Sequence, residues 1–320
     1  MKTGIFSCSK YRDGVRPGDD ILINIPGAVV GVFDGASDPL GTCIIGEPAG
    51  RFAARNVAAA CADLFGEIKA RSLPAVDILA HLTSALSSAT QKIECPIPPS
   101  TTLALMIDQG TDMRMFILGD SGIRINGKQV YQPGKIVDTV SICARVLIYR
   151  HLAEVSGEND GLEMRTRRII FEGLARAVSE GILVEDDASA IILRTIESTH
   201  LQDHAVLVRE FLLKGIQFQQ TYANDPVHPL RFTAMNGYRP VGNEIIDMRI
   251  PKADLQTIEI FTDGYYSIPA QTGVSAWEEE HARVEAVDFH KTGDFAAVKG
   301  STGEEFSDDR TILTLEGRFA

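Results

Sequence analysis

The sequence predicts an α+β protein, with strands at both ends of the chain and helices in its middle. Short apolar, β-branched segments end in turn residues, as 28–33 does before Asp34-Gly35. Apolar residues recur at helical spacing over roughly 53–68 and 75–92. A long stretch, 138–222, favours helix, over 146–154, 164–181 and 207–218 in particular, and has no convincing hairpin signal. We therefore expect one domain over residues 1–320 that carries a mostly helical insertion at 138–222.

Strand signals frame the first third of the chain. Segments 5–8 and 21–25 are short apolar runs joined by a polar connector, and 28–33 is the third predicted strand. The proline cluster at 96–99 ends the helical region, and a new strand begins at 100–107. Two helices are therefore expected between the third and the fourth strand.

More strands follow in quick succession. Segment 114–118 runs into Gly119-Asp120, and the next strand occupies 123–125. Asn126-Gly127 then indicates a type I′ hairpin turn before 129–131. An aspartate preceded by a glycine is thus expected between two strands, much as Asp34 follows an earlier one.

Strands return near the end of the chain. We expect strands at 231–237, at 245–250 and at 257–264, where the strand ends in Asp263-Gly264, then a helix at 277–287 and a final strand at 312–316. Within the helical insertion, segment 188–193 is compatible with a short strand as well as with helix.

The composition excludes several classes of protein. Apolar residues make up 44% of the chain and charged residues 23%, which is typical of a folded globular protein. The net charge of −12 disfavours nucleic-acid binding, because an acidic surface repels phosphates. The sequence has no run of about 18 apolar residues, so it predicts no membrane span. The five scattered cysteines indicate reduced thiols. We expect a cytoplasmic protein without a nucleic-acid or membrane partner.

Aspartates stand at several of the predicted strand ends and turns. They are Asp34, Asp120, Asp263 and Asp308-Asp309, together with the earlier pair Asp19-Asp20. Carboxylates brought to one edge of a sheet repel one another unless a cation compensates their charge. A ligand set made of oxygen atoms favours Mg²⁺ or Mn²⁺ over zinc or copper. Two such ions about 3.5–4 Å apart can hold a hydroxide and orient a phosphoryl group for in-line attack.

Five short motifs occur in order along the chain. They are Val-Phe-Asp-Gly at 32–35, Ser-Thr-Thr at 100–102, Leu-Gly-Asp-Ser at 118–121, Ile-Phe-Thr-Asp-Gly at 260–264 and Asp-Asp-Arg-Thr at 308–311. This set resembles the metal-dependent serine/threonine protein phosphatases of type 2C, which carry two Asp-Gly motifs, a Gly-Asp-Ser element and a terminal Asp-Asn-x-Thr. The resemblance spans both ends of the chain.

The resemblance implies roles for the matching residues. Asp34 would bridge two ions, and Gly35 would offer its carbonyl oxygen to one of them. Asp263 and Asp308 would complete the ligands of one ion, while Asp120 matches a position used for a third, weaker ion. The cofactor implied is therefore Mn²⁺ or Mg²⁺, with two or three ions.

The acidic pair has implied roles as well. Asp19 would bind the second ion, and Asp20 would hold metal-bound water. The family's phosphate-binding arginine lies four residues before this pair, where this chain has Val15, so that Arg16 or Arg12 must substitute. Outside the ligand set, Asp309 is expected to cap a turn or to face solvent.

A fold and a reaction follow from these expectations. We expect an α-β-β-α sandwich in which two antiparallel sheets pack face to face and helical pairs cover them. The insertion lies about where the family carries its variable flap. The expected reaction is hydrolysis of phosphoserine or phosphothreonine in a protein substrate by a metal-bound hydroxide, without a phosphoenzyme intermediate. Such an activity is expected to serve signalling.

Two alternatives remain open at this point. Many family members carry a histidine as proposed general acid directly after the first Asp-Gly motif, where this chain has Ala36. A weak or inactive pseudophosphatase that acts as a binding module is therefore one alternative. A metal-dependent phosphoesterase for a small molecule is the other. The sequence names neither the phosphoprotein substrate nor an oligomeric state.

Overall fold

The computed structural model describes residues 1–38, 40–157, 159, 161–238, 242 and 244–319. The chain divides into two compact units. The first, here called the sandwich unit, contains Met1–Gly134, Thr233–Arg283 and Asp308–Ala320. The second, here called the helical unit, contains Lys135–Phe232 and Val284–Ser307.

Two five-stranded sheets form the sandwich unit, as far as its described residues show, and all neighbouring strands in them are antiparallel. The first sheet has the order β1 (Lys2–Cys8), β12 (Arg310–Glu316), β11 (Thr257–Phe261), β8 (Gly122–Ile125) and β9 (Gln129–Tyr131). The second has the order β10 (Ile246–Pro251), β7 (Asp112–Leu118), β6 (Leu103–Asp108), β3 (Val29–Phe33) and β2 (Ile21–Ile25). A short hairpin of β4 (Cys43–Ile44) and β5 (Glu47–Pro48) precedes the first helix.

The side chains of β3 explain why the two sheets pack face to face. All five residues of this strand are buried, and successive side chains point to opposite faces. Val30 and Val32 belong to an apolar cluster that also includes Ile123, Ile260 and Leu313 of the other sheet. This cluster is the core between the two sheets.

Two helices cover the other face of the second sheet. They are α1 (Ala49–Gly66) and α2 (Ala75–Thr90). Phe33 of β3 shares a buried cluster with Val57 of α1 and Leu82 of α2. The helices therefore pack on the sheet through one apolar face each.

A third helix, α8 (Val274–Val287), covers the outer face of the first sheet through Trp277. The Trp277 ring centroid lies 4.6 Å from that of Phe261 and 5.0 Å from that of Tyr265. Its indole nitrogen donates a 2.8 Å hydrogen bond to Glu259, so the polar atom of this buried ring is satisfied. The expected α+β sandwich of two antiparallel sheets is confirmed. Helical pairs were expected on both outer faces, but in the described part of the sandwich unit a pair covers the second sheet and the single helix α8 covers the first.

The helical unit contains five α-helices in its described part. They are α3 (Ile136–Ser156), α4 (Leu162–Glu172), α5 (Leu174–Ser179), α6 (Glu185–Ser198) and α7 (Ala205–Lys214). Arg145 of α3 is fully buried and pairs with Glu163 of α4. Its guanidinium also donates to the carbonyl oxygens of His290 and Lys291. This buried cation joins the two chain segments of the helical unit.

Three details differ from the expectations. Segment 188–193 lies inside α6, so the strand alternative is wrong. The acidic residues 185–187 in the first turn favour this helix, because negative side chains stabilise a helix N-terminus. Segment 231–237 forms isolated bridges rather than a strand. The helix expected near 164–181 is divided at Gly173, whose φ of +92° ends α4.

The remaining predicted strands and helices are present. The strands at 21–25 and 129–131 have the predicted ends, and the ends of the others are shifted. Asn126 and Gly127 have φ angles of +53° and +65°, as the predicted type I′ turn requires. Among the described residues, no helix combines the length and apolar character needed to cross a membrane.

Candidate metal centre

Three aspartates of the sandwich unit meet at the ends of different strands. Asp34 directly follows β3, Asp120 lies between β7 and β8, and Asp263 comes two residues after β11. One carboxylate oxygen of each lies within 4.8 Å of the other two. Asp120 is buried, and the other two are half-buried. The structure therefore brings these three sequence-predicted residues together.

The donor set of this cluster fits a divalent cation. Oxygen ligands lie about 2.0–2.6 Å from Mg²⁺ or Ca²⁺, so two ligands of one ion are up to about 4–5 Å apart. The separations among Asp34, Asp120 and Asp263 fall in that range. Three carboxylates at such distances repel one another, and a hard cation relieves this repulsion.

The Ser-Thr-Thr motif fixes the backbone of Asp34. The hydroxyl of Thr101 donates a 2.7 Å hydrogen bond to the Asp34 carbonyl oxygen. The Thr102 amide donates to the same oxygen at 2.9 Å, and the Ala36 amide donates to the Ser100 carbonyl oxygen at 3.0 Å. The turn that carries the carboxylate is thus bound to the neighbouring chain on both sides.

Gly35 is required by close packing at the start of α1. A Cβ atom at this position would lie 2.5 Å from the Gly50 carbonyl group and 2.7 Å from the Asp19 carbonyl oxygen. Both contacts are with backbone, which cannot move aside cheaply. The Asp-Gly pair is therefore more than a turn signal here, because its glycine lets the Asp34 turn, α1 and the acidic pair approach one another.

The loop that carries Asp120 is tied to the same motif. Gly119 has a φ of +84°, and a Cβ atom there would lie 2.3 Å from Cγ2 of Thr102. The hydroxyl groups of Thr102 and Ser121 are hydrogen-bonded at 3.0 Å. The Asp120 carbonyl oxygen accepts a 2.9 Å hydrogen bond from Gln132. One short motif therefore positions the loops of Asp34 and Asp120 together.

The acidic pair is buried. Asp19 is 5% exposed and Asp20 is 7% exposed. One oxygen of Asp20 accepts a 2.8 Å hydrogen bond from the Thr262 hydroxyl. Its other oxygen is buried without a hydrogen-bond partner among the described residues. Burial, and then the negative charge of Asp309, raise the pKa of Asp20 well above its usual range, and the Thr262 hydrogen bond opposes the shift.

Asp309 has a structural role that the sequence does not reveal. It is 4% exposed, so of its two expected roles the one facing solvent is wrong. One of its oxygens accepts the Lys10 amide at 2.6 Å, and the other accepts the Asp19 amide at 3.0 Å. The Asp308 carboxylate accepts the Asp309 amide at 3.0 Å. Asp309 thus joins the end of the chain to the segment that carries the acidic pair.

Lys10 is a second residue that the sequence does not single out. Its ammonium nitrogen lies 3.6 Å from an Asp19 oxygen and 3.9 Å from an Asp309 oxygen. It also donates a 2.7 Å hydrogen bond to the Ser37 hydroxyl. Burial opposes the lysine charge, but Asp308, Asp309 and Asp19 outweigh it and raise the pKa of Lys10. No local pattern marks this lysine, since its partners come from elsewhere in the chain.

The expected phosphate-binding arginine lies on an exposed loop. Arg16 pairs with Asp13 at 2.7 Å, and its guanidinium carbon lies 3.8 Å from the Tyr11 ring centroid. Backbone hydrogen bonds from Val15, together with Arg16, lower the pKa of Asp13 to about 2.

Arg51 of α1 donates a 2.6 Å hydrogen bond to the Gly18 carbonyl oxygen, next to the acidic pair. The sequence pattern does not mark Arg51 either.

The cluster within 4.8 Å contains Asp34, Asp120 and Asp263 among the described side chains, and Asp19 and Asp308 fall outside it. Asp19 instead lies beside Lys10. The fold and the cluster together define an α+β sandwich protein with a candidate divalent-metal centre.

Comparisons with known proteins give likenesses of fold. No protein-family model matches the chain, and no curated protein matches it. The serine/threonine phosphatase PstP/Ppp of Mycobacterium tuberculosis is 17% identical over 99% of both chains, with a TM-score of 0.42. The PstP catalytic domain in complex with two manganese ions is 14% identical over 98% of this chain and 96% of that one, with a TM-score of 0.43. The phosphatase Stp1 of Staphylococcus aureus is 13% identical over 99% and 96%, with a TM-score of 0.45. At these values the functional argument rests on the site itself.

Proposed function

We propose that this protein is a metal-dependent phosphatase that hydrolyses phosphoserine and phosphothreonine in a protein substrate. The observation that carries the proposal is the cluster of Asp34, Asp120 and Asp263, whose carboxylate oxygens lie within 4.8 Å of one another. The ordered motifs that resemble type 2C phosphatases support the choice of reaction. Phosphoryl transfer to water needs the charge compensation that such a cluster can provide through an ion.

Mn²⁺ or Mg²⁺ is the proposed cofactor. When bound, such an ion supplies a hydroxide nucleophile at neutral pH and stabilises charge on the phosphoryl oxygens. Asp34, Asp120 and Asp263 are the proposed ligands. The resemblance adds the Gly35 carbonyl oxygen and Asp308, although Asp308 lies outside the cluster. The resemblance also implies a second ion on Asp19.

Other residues of the chain are proposed to handle water and phosphate. The buried oxygen of Asp20 that lacks a hydrogen-bond partner can accept a hydrogen bond from water and so orient it. Arg16 is proposed to bind the substrate phosphate, after exchanging its ion pair with Asp13 for the phosphate oxygens. Ala36 cannot donate a proton, so we assign protonation of the leaving serine or threonine oxygen to water.

The test is hydrolysis of a phosphothreonine peptide and of a simple aryl phosphate with Mn²⁺. We expect turnover that disappears with EDTA and in Asp34→Asn, since the substitution removes a ligand charge from the cluster. Asp63→Asn, an exposed aspartate on α1, is the matched control and should keep full activity. Activity that survives in Asp34→Asn contradicts the proposal.

Two other outcomes would assign the alternative functions. Mn²⁺ binding without turnover of either substrate would favour a pseudophosphatase that binds a partner. Turnover of nucleotides but not of phosphopeptides would favour a small-molecule phosphoesterase.

A further inference from the structure

The environment of Lys10 bears on how many ions the site can hold. This lysine follows β1, and its side chain is 11% exposed. Its ammonium group lies within 4.0 Å of carboxylate oxygens from both Asp19 and Asp309. A positive charge of the chain itself therefore lies where the resemblance implies a second metal ion.

Hydrogen bonds fix this ammonium group. It donates to the Ser37 hydroxyl at 2.7 Å, and the same hydroxyl donates to an Asp19 oxygen at 3.4 Å. The Lys10 amide donates to Asp309 at 2.6 Å, so the backbone and the side chain of Lys10 contact one carboxylate group. The lysine is thus held at two points and cannot swing freely into solvent.

The partner carboxylate of Asp309 is also fixed. Its two oxygens accept the amides of Lys10 and Asp19. A Cβ atom at Gly18 would lie 2.6 Å from one of these oxygens, so a glycine is needed for the close approach. Asp309 therefore holds Lys10 and Asp19 side by side, with a spacing set by backbone hydrogen bonds.

From these contacts we propose that Lys10 is the permanent counter-ion of Asp19, and that this chain binds one divalent ion rather than two. An ion on Asp19 would share that carboxylate with an ammonium group, and the two positive charges repel each other. The cluster of Asp34, Asp120 and Asp263 remains for the ion. This inference rests on the proposed metal-dependent function and specifies its metal content.

The test is to count the bound ions directly. The full chain is dialysed against Mn²⁺, bound metal is measured by mass spectrometry, and low-temperature electron paramagnetic resonance distinguishes an isolated ion from a coupled pair. We expect one Mn²⁺ per wild-type chain and an uncoupled six-line spectrum. Lys10→Gln keeps a group that can hydrogen-bond to Ser37 but removes the charge. This variant should bind a second ion at least tenfold more tightly than the wild type does, and give a coupled spectrum.

Two further variants separate loss of the Lys10 charge from a folding defect and from the general effect of removing a lysine. Lys10→Met removes the charge with an apolar side chain of similar length, so a folding defect caused by one substitution does not decide the result. Lys128→Met is the matched control on an exposed lysine and should still bind one ion. Circular dichroism reports whether each variant is folded.

The possible failures can be told apart. Two coupled ions in the wild type, or a single ion in both folded Lys10 variants, overturn the role of Lys10 but leave the metal-dependent function intact. No bound Mn²⁺ in any variant at millimolar metal overturns the proposed function and this inference with it.

Discussion

The hydroxyl of Thr101, a residue with no exposed surface, lies 2.7 Å from the carbonyl oxygen of Asp34. This hydrogen bond reaches the backbone of Asp34 rather than its carboxylate, so it orients the residue without competing for the ligand atoms. A second donor, the Thr102 amide, reaches the same oxygen. Residues outside the cluster therefore determine how precisely its carboxylates meet.

Loss of that hydroxyl should weaken metal binding. In Thr101→Val the Asp34 carbonyl oxygen loses a buried donor, at a cost of about 1–2 kcal/mol. We expect Mn²⁺ affinity to fall about tenfold, while Thr101→Ser keeps the donor and stays near the wild-type value. Calorimetric titration with Mn²⁺ measures both. Equal affinities for the two variants would show that this hydrogen bond does not position Asp34.

Removing one carboxylate should stabilise the metal-free protein. Asp263→Asn relieves repulsion with Asp34 and Asp120, and we expect the free energy of unfolding without metal to rise by about 1 kcal/mol. The wild type should gain about 2.7 kcal/mol when free Mn²⁺ reaches a hundred times its dissociation constant. Most of that gain should be absent in the variant. Urea unfolding of the wild type and of Asp263→Asn, each with and without Mn²⁺, gives the four free energies of unfolding. If Mn²⁺ stabilises the variant as much as the wild type, the assignment of Asp263 as a ligand is contradicted.

Gly264 should tolerate no side chain. A Cβ atom there would lie 1.9 Å from the Asp309 carbonyl oxygen, a backbone atom of the segment that enters β12. We expect Gly264→Ala to lower the free energy of unfolding by about 3 kcal/mol or more. Gly66→Ala, at the end of α1 with nothing within 4 Å of the added atom, is the control and should be nearly neutral. Thermal unfolding compares them, and equal effects would mean that the Asp309 backbone can move aside.

The ion pair beside Asp309 should make stability depend on acid pH. Glu278 of α8 accepts hydrogen bonds from Arg310 at 2.7 and 3.0 Å and from the Tyr265 hydroxyl at 2.7 Å. Burial opposes the carboxylate charge, but the Arg310 and Tyr265 hydrogen bonds outweigh it and lower the pKa of Glu278 below its ordinary value near 4.5. Because the folded state binds its proton less readily than the unfolded state, this stabilisation is complete above about pH 4.5. It is lost as the pH falls through the lower folded pKa.

Glu278→Gln tests this dependence. The variant should lose about 1.5–3 kcal/mol at pH 7 and should show a shallower fall in stability below pH 4.5. Glu279→Gln, an exposed neighbour on the same helix, provides the control. Urea unfolding from pH 7 to pH 3 gives both curves. Parallel curves for wild type and Glu278→Gln would assign the acid sensitivity to other groups.

Local patterns were sufficient for the residues that follow strands. Asp34, Asp120 and Asp263 each follow an apolar segment and lie next to a glycine, and this signal needs no knowledge of the fold. The sheets bring those strand ends together. The type I′ turn at 126–127 is predictable for the same reason, because the two residues Asn126 and Gly127 determine its geometry.

Patterns failed where distant residues decide the outcome. Lys10 and Asp309 are 299 positions apart, so no sequence spacing relates them. Segment 231–237 has the composition of a strand, yet its described residues form isolated bridges, from Met235 to Thr101 and from Phe232 to Ala223. Segment 188–193 is apolar enough for a strand or a helix, and the acidic residues 185–187 before it stabilise the helix. Each failure reflects a partner that the local sequence does not contain.

The pairing of β1 with β12 has a consequence for synthesis of the protein. Lys2 is opposite Glu316 and Cys8 is opposite Arg310, so β1 cannot pair in its sheet before β12 has been made. A ribosome adds about 5–20 residues per second, so Lys10 emerges roughly 15–60 s before Asp309 does. During that interval the first strand and the Asp19 segment are exposed on the nascent chain. The acidic half of the site therefore closes only after the segment that carries Asp309 has been made.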